Sequence, residues 1–324
     1  MGTGPDTLQE AVLYFADPNN CREYLVAHRW PNGVRCPRCG SDSVTFQPKY
    51  NRWQCGRKHD LRQFTAKTGT IFEDSPLGLD KWLVAMWLVV NCKNGVSSYE
   101  VHRAIGVSQK TAWFMDHRIR FALGMTDGGN KLSGECEADE TFIGGKARNM
   151  HIDKRKRRIT ATGPTDKVAV MGILQRGENG ESKVRTVVVP NRRKKALQAE
   201  VRKHVEAGAA LYTDALLSYD GLECEYAHQV IGHAEKYVDG RVHTNGLENF
   251  WSLLKRSING TYVSVEPFHL FRYLDEQAFR YNNRKDLNDG DRFSLAVSQI
   301  VGKRLTWDRL TGKNADGQSS MPLI

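Results

Sequence analysis

The apolar positions change period along the chain, and each change marks an element. Residues 7–29 repeat at helical spacing but are interrupted by "DPNN", which predicts two short helices, the first opened by the capping box "TLQE". Residues 33–64 lose that period and read as short β-like pieces among turn residues. Helical spacing returns from 79 to about 122; its most apolar run, "WLVAMWLVV" at 82–90, is a buried helix, far short of the roughly 20 residues that cross a bilayer. After "GGNKLSG" (128–134), read as a linker, come strand-like runs at 134–145, 167–175 and 183–190. A helix at 194–206, a short strand into 211–215, another at 227–231 and helices at 243–257 and 267–284 complete the pattern. Beyond residue 286 the spacing says little.

One helix asks for more than packing. In "HTNGLENFWSLLKRS" (243–257), Leu247, Phe250, Trp251, Leu254 and later Ile258 form a core stripe. Asn245, Glu248, Ser252 and Lys255 share the opposite face, so Glu248 and Lys255 point the same way two turns apart. Two readings stand side by side. Asn245 is an N-cap with Glu248 as its capping-box partner, or Glu248 is a metal ligand and Lys255 a phosphate contact.

Charge and cysteine spacing narrow the choice of function. Lys and Arg exceed Asp and Glu by 47 − 37 = 10, and the excess is clumped in "DKRKRR" (153–158) and "NRRKK" (191–195), as in nucleic-acid-binding proteins. The opening "MGTGPDTLQEAVLYF" has neither the basic start nor the apolar stretch of a secretory leader. Seven cysteines, of which three cluster, do not make a disulfide framework, and a reducing cytoplasm suits them.

That cluster is chemically specific. "CPRCG" sets Cys36 and Cys39 two residues apart, and "CGRKH" supplies Cys55 and His59, giving four donors in two knuckles for a tetrahedral structural Zn²⁺. A ribbon normally repeats C-x-x-C, but residue 58 is Lys, so His59 must be the fourth ligand. Downstream, "SSYEVHRAIGVSQKTAWFMDHRIR" (97–120) reads as a helix-turn-helix. Gly106 lies in its turn, Ser108 caps the second helix, and Ala104, Ile105, Val107, Ala112 and Met115 make its small core. Gln109, Lys110 and Trp113 then stand near the start of a recognition helix, placed for DNA contacts.

Three acids remain. Asp139 lies in a strand-like run ("EADE"), Asp214 ends a short strand ("YTDA"), and Glu248 follows 34 residues later on the helix. Carboxylates among apolar β-type residues are costly without a cation or hydrogen-bond partners. Meeting at one rim of a sheet, these three would hold two Mg²⁺ (or Mn²⁺) ions for phosphodiester chemistry. Glu137 and Glu140, on either side of Asp139, are assigned to the other side of the strand and left out of the set. No Walker loop or Ser-His-Asp arrangement competes.

Taken together, "HRWPNGVRCPRCGS", "KTGTIF", "IGVSQKTAWFMDHRIR", "ADETFIGGK", "YTDALLSYDGL", "HTNGLENFWSLLKR" and "RYLDEQAFRYNNR" span roughly residues 15–285. Over that span the chain resembles the bacterial insertion-sequence transposases of the DDE superfamily, in the ISXO-type group with an N-terminal zinc ribbon. The resemblance implies a multi-domain α/β chain whose catalytic part is an RNase H-like mixed sheet, with Asp139, Asp214 and Glu248 as its metal-binding triad. It also implies that Lys255, with Arg256 beside it, contacts DNA near the cleaved end. Groups of this family carry asparagine as the third ligand, which keeps Asn245 as the alternative to Glu248. His228, His233 and His243 lie in matching stretches and are candidates for phosphate contact or proton relay, or else structural.

The expected layout is N-terminal helices to residue 32, zinc ribbon 33–78, helix-turn-helix region 79–127, catalytic domain 128–285 and a C-terminal tail 286–324. The expected activity is cleavage at terminal inverted repeats of double-stranded DNA followed by strand transfer. A homodimer or higher assembly on DNA would carry it out, in a bacterial cytoplasm at the nucleoid and away from membranes. Two alternatives are a DNA-binding regulator that keeps the fold without chemistry and an RNase H-like nuclease that does not join ends.

Overall fold

The computed structural model describes residues 4–124, 130–144, 151–153, 156, 167–177, 181–231 and 243–312. The basic run at 153–158, residues 128 and 129 of the linker, and His233 therefore fall wholly or partly outside the described residues. Two compact units emerge, one of residues 1–124 with 286–322 and one of residues 125–285 with 323–324.

In the first unit, α1 (Leu8–Tyr14) begins at a Thr7–Glu10 capping box, and α2 (Pro18–Arg29) begins with Asp17 as N-cap and Pro18 in its first turn. The strands β1 (Val44–Gln47), β2 (Arg52–Cys55) and β3 (Gln63–Phe64) form a three-stranded antiparallel sheet. Helix α3 (Leu79–Asn91) buries both Trp82 and Trp87. The helix-turn-helix is α4 (Ser98–Ile105) and α5 (Gln109–Leu123). Residues 286–312 belong to this unit: α9 (Asp289–Ser298) brings Phe293 within 5.6 Å of the Phe15 and Tyr24 rings and 5.0 Å of the Trp87 ring. A short α10 (Trp307–Thr311) follows.

The second unit is built on a five-stranded sheet in the order β6-β5-β4-β7-β8. Its strands are β4 (Glu135–Ile143), β5 (Val168–Gln175), β6 (Lys183–Val189), β7 (Ala210–Asp214) and β8 (Ala227–Ile231). β4, β5 and β6 run antiparallel in sequence, and β7 and β8 are added parallel to β4. This is the mixed sheet of an RNase H-like fold. One face packs on α6 (Lys194–His204), where Cys136, Ala138, Met171 and Leu211 meet Leu197 and Val201. The other packs on α7 (Asn245–Arg256) and α8 (Leu270–Asn282), where Val170 and Leu174 meet Leu247, Phe250, Trp251 and Leu254.

Alternation along β4 follows from this. Because Cys136 and Ala138 face α6, the residues of opposite parity, Glu135, Glu137 and Asp139, face α7. Glu137 is thus on the side of Asp139, not across the strand as expected above; residues two apart on a strand share a face. Only Glu140 lies on the other side.

Candidate active site

The ribbon donors converge. The Sγ of Cys36 lies 3.5 Å from Nε2 of His59, the Sγ of Cys39 lies 3.6 Å from that of Cys55, and all four donor atoms fall within 4.8 Å of one another. Those separations are close to the edges of a tetrahedron around Zn²⁺ with Zn–S of roughly 2.3 Å. The His59 ring is set for the task, since its Nδ1 bonds the Asp60 carbonyl at 2.6 Å and leaves Nε2 toward the thiols. The first knuckle turns through Gly40 at φ +72°, with the Gly40 amide donating to the Cys36 carbonyl. Burial pushes the Cys36 thiol up, but the Arg38 and Cys39 amides and the neighbouring thiols outweigh it and hold it at about 7. None of the seven cysteines is in a disulfide.

The helix-turn-helix has the expected local chemistry. Gly106 caps α4 in the left-handed region at φ +62°, and the Ser108 hydroxyl accepts from the Thr111 amide to start α5. Ala112 and Met115 are buried as expected, but Ala104 is exposed and Val101 takes the inward position instead. Of the three proposed DNA contacts, Gln109 donates to Ser98 Oγ at 2.9 Å inside the motif. The Trp113 ring packs edge-on against Trp307 of α10 at 5.8 Å, and the exposed Lys110 ammonium stands 4.6 Å over the same indole.

In the second unit the acids gather at one region of the sheet. Ala138 pairs with Thr213 across the parallel β4–β7 ladder, so Asp139 and Asp214 occupy level positions on neighbouring strands. Asp139 Oδ2 accepts a 2.9 Å hydrogen bond from the Trp251 indole Nε1, and Asp214 Oδ1 accepts from the Leu216 amide at 3.2 Å. Burial raises the Asp139 carboxyl to about 6, and the negative charges of Asp214 and Glu248 push the same way against the Trp251 bond. Glu140, which accepts from the buried Tyr219 hydroxyl, is raised to about 7 by burial, with Asp214 and Asp139 contributing. Asp139, Asp214 and Glu248 are neighbours but not a closed cage: among the described residues only the Cys₃His set has all its donor atoms within 4.8 Å of one another. Three carboxylates brought near one another repel. Two ions held side by side, moreover, need not be touched by every ligand.

The helix carrying Glu248 is anchored from below. Gly246 passes so close to β4 that a Cβ there would lie 2.9 Å from Glu137 Oε2, and the Leu247 amide donates to that oxygen at 2.9 Å. Glu137, 1% exposed, also takes Arg176 Nε at 2.7 Å, and Arg176 reaches His243 through both its ring Nδ1 (2.7 Å) and its carbonyl (2.6 Å). His243 is therefore part of this anchor. His228 sits elsewhere, bonding Thr213 Oγ1 at 2.9 Å.

The capping reading of α7 fails. Thr244, not Asn245, is the N-cap, and it makes no side-chain capping bond; Asn245 is the first helical residue. Asn245, Glu248, Ser252, Lys255 and Arg256 are all exposed, while the apolar stripe is buried. Past Arg256 the helix widens into a π-turn over Ser257–Tyr262, a departure that recurs at functional positions.

An RNase H-like sheet bearing clustered acids, joined in one chain to a zinc ribbon and a helix-turn-helix, defines a nucleic-acid-processing protein. The comparisons specify it. The ISXO2-like transposase domain matches residues 131–282, and the transposase zinc-ribbon domain matches residues 17–57. The chain is 28% identical over 255 residues to a protein in transposable element ISH50 of Halobacterium salinarum, covering 76% of this chain and 84% of that one. It is 35% identical over 102 residues to a transposase-like protein of Haemophilus influenzae, covering 31% of this chain and 82% of the relative. The chain belongs to the ISXO2-like insertion-sequence transposases. Among the described residues no helix is long and apolar enough to cross a membrane.

Proposed function

We propose that the chain cuts the ends of its insertion sequence and joins them to target DNA, using Asp139, Asp214 and Glu248 with two Mg²⁺ or Mn²⁺ ions. The observation that carries this reading is the level placement of Asp139 and Asp214 on adjacent parallel strands, with Glu248 close enough to repel the Asp139 charge. The donor set suits a hard divalent cation, being carboxylate oxygens with one member at least partly exposed. When bound, such ions lower the pKa of the attacking oxygen and neutralise the charge that develops on the leaving one.

The protein's own part is positioning. The Glu137–Arg176–His243 network fixes the start of α7, and the Trp251 indole orients Asp139. Glu248 is the third ligand in this reading because its charge reaches Asp139; Asn245, one turn earlier on the same exposed face, is the alternative. Lys255 and Arg256, exposed further along α7, contact phosphates near the cleaved end. The ribbon and α5 bind the terminal inverted repeats through contacts dominated by phosphate, which makes binding steeply salt-dependent. Joining two ends calls for a dimer or larger assembly on DNA, in the cytoplasm where the element resides.

The test uses full-length protein and labelled DNA carrying the element ends. Asp139→Asn and Asp214→Asn should each slow Mg²⁺-dependent cleavage by at least about a thousandfold, roughly 4 kcal/mol of barrier, with end binding within a few-fold of wild type. Near-normal cutting by either variant would mean that the site is misassigned. Pre-cut ends then separate strand transfer from cleavage alone.

A further inference from the structure

We infer that Trp251 is a positioning residue for the first carboxylate. Its indole N–H, rather than its bulk alone, sets the orientation in which Asp139 receives a divalent cation. This rests on the carboxylate assignment proposed above and adds to it a residue that does not itself touch the ion.

Three observations converge on Trp251. Its Nε1 donates to Oδ2 of Asp139 at 2.9 Å, and an indole is a donor only, so this bond fixes one carboxylate oxygen without itself competing for the ion. The indole is 4% exposed and wedged against the sheet at Gly172, the residue paired with Asp139 on β5. A Cβ at Gly172 would lie 2.6 Å from Cζ2 of the indole and 2.8 Å from Leu247 Cδ2, so glycine there admits the ring. Trp251 is also one turn beyond Glu248 on the same helix. The hydrogen bond therefore ties the strand-borne ligand to the helix that carries the third one, and Glu137 ties the start of that helix to the same strand through the Leu247 amide. Apolar packing alone would be served by phenylalanine. The N–H has a use only if the carboxylate it meets must be held in one rotamer. Partners of this kind typically change metal affinity by roughly 10–100-fold.

The test compares Trp251→Phe with wild type in the full-length, zinc-loaded protein. Mn²⁺ affinity is measured by calorimetry without DNA, and end cleavage is followed against Mg²⁺ concentration. Removal of the N–H should weaken Mn²⁺ binding about tenfold or more. The Mg²⁺ needed for half-maximal cleavage should rise in parallel, cleavage should partly recover at high Mg²⁺, and DNA-end affinity should stay within twofold. Unchanged Mn²⁺ affinity and unchanged Mg²⁺ dependence would overturn the inference. Should Trp251→Phe not fold, the wild-type protein still decides the matter by NMR. Of its seven tryptophan indole N–H signals, one must move both on Mg²⁺ addition and in Asp139→Asn. If none responds to both, the inference is lost. An active Asp139→Asn would instead overturn the carboxylate assignment itself, whereas an inactive Asp139→Asn with normal Mg²⁺ dependence in Trp251→Phe would remove only the role given to Trp251.

Discussion

The zinc ribbon and the carboxylate region solve the same problem, bringing like donors together, in opposite ways. In the ribbon, two short knuckles hold four donors within 4.8 Å, and nearby amides ease the thiol charge, as at Cys36. In the catalytic unit the acids come from two strands and a helix. Burial outweighs the Trp251 hydrogen bond at Asp139 and the Arg192 charge at Glu140, so Asp139 is raised to about 6 and Glu140 to about 7. The ribbon geometry follows from local chain turns. The carboxylate geometry follows from the topology of a whole sheet, and under the proposed function a divalent cation would relieve its mutual repulsion.

The largest effect that would sharpen this contrast is at the ribbon. Cys36→Ser should release the zinc and unfold the module, because metal binding there, on the order of 10 kcal/mol, is also its folding energy. Metal content and limited proteolysis should show the ribbon lost and residues 130–285 still protected; an intact, zinc-loaded variant would break the comparison. Next comes the scaffold of the acids. Phe250, fully buried on α7 against the Tyr281 ring at 5.2 Å, should cost about 3–5 kcal/mol when replaced by Ala in denaturant unfolding. The catalytic unit should lose that stability while zinc binding is unaffected.

The third effect is electrostatic. Asp139 and Glu140 have folded-state pKa values raised from 3.8 to about 6 and from 4.5 to about 7. The folded chain therefore binds more protons than the unfolded one between about pH 4 and 7. Without divalent ions, stability should be full at the acid end of that window and fall as pH rises through it. The loss is on the order of 2–3 kcal/mol per group at most. Asp139→Asn should remove its share, which denaturation at pH 5 and 7.5 would reveal; equal slopes in both proteins would discount the burial of this charge. The smallest effect is at Lys255. Its replacement by Ala should lower strand transfer about tenfold, near 1.4 kcal/mol, and end affinity less. Equal losses would make it a general phosphate contact.

What could be read from the sequence follows the same division. Thr7 with Glu10, Gly106 and Ser108 each act within a few residues, and each has the predicted local role. The Cys and His spacing likewise specified a donor set before any tertiary contact was known. The sheet-level facts were harder. Glu137 looked like a bystander of Asp139, although counting by two already puts both on one face; what no spacing rule supplied was its partner, the Leu247 amide, 110 residues away. Trp251 fitted the apolar stripe, which concealed its N–H. Gly172, within a run of Val, Met, Ile and Leu, gave no hint that an indole lies against it. Asn245 matched a capping motif by composition, but the helix begins one residue earlier.

The stretch past residue 286, which periodicity left blank, carries a consequence for biosynthesis. Phe293 seals the aromatic cluster of Phe15, Tyr24 and Trp87, so a nascent chain cannot finish its amino-terminal unit until the RNase H-like segment has already left the ribosome. Completion of the amino-terminal aromatic core thus waits on residues beyond 286, and a fragment ending at residue 124 would be born with that core open.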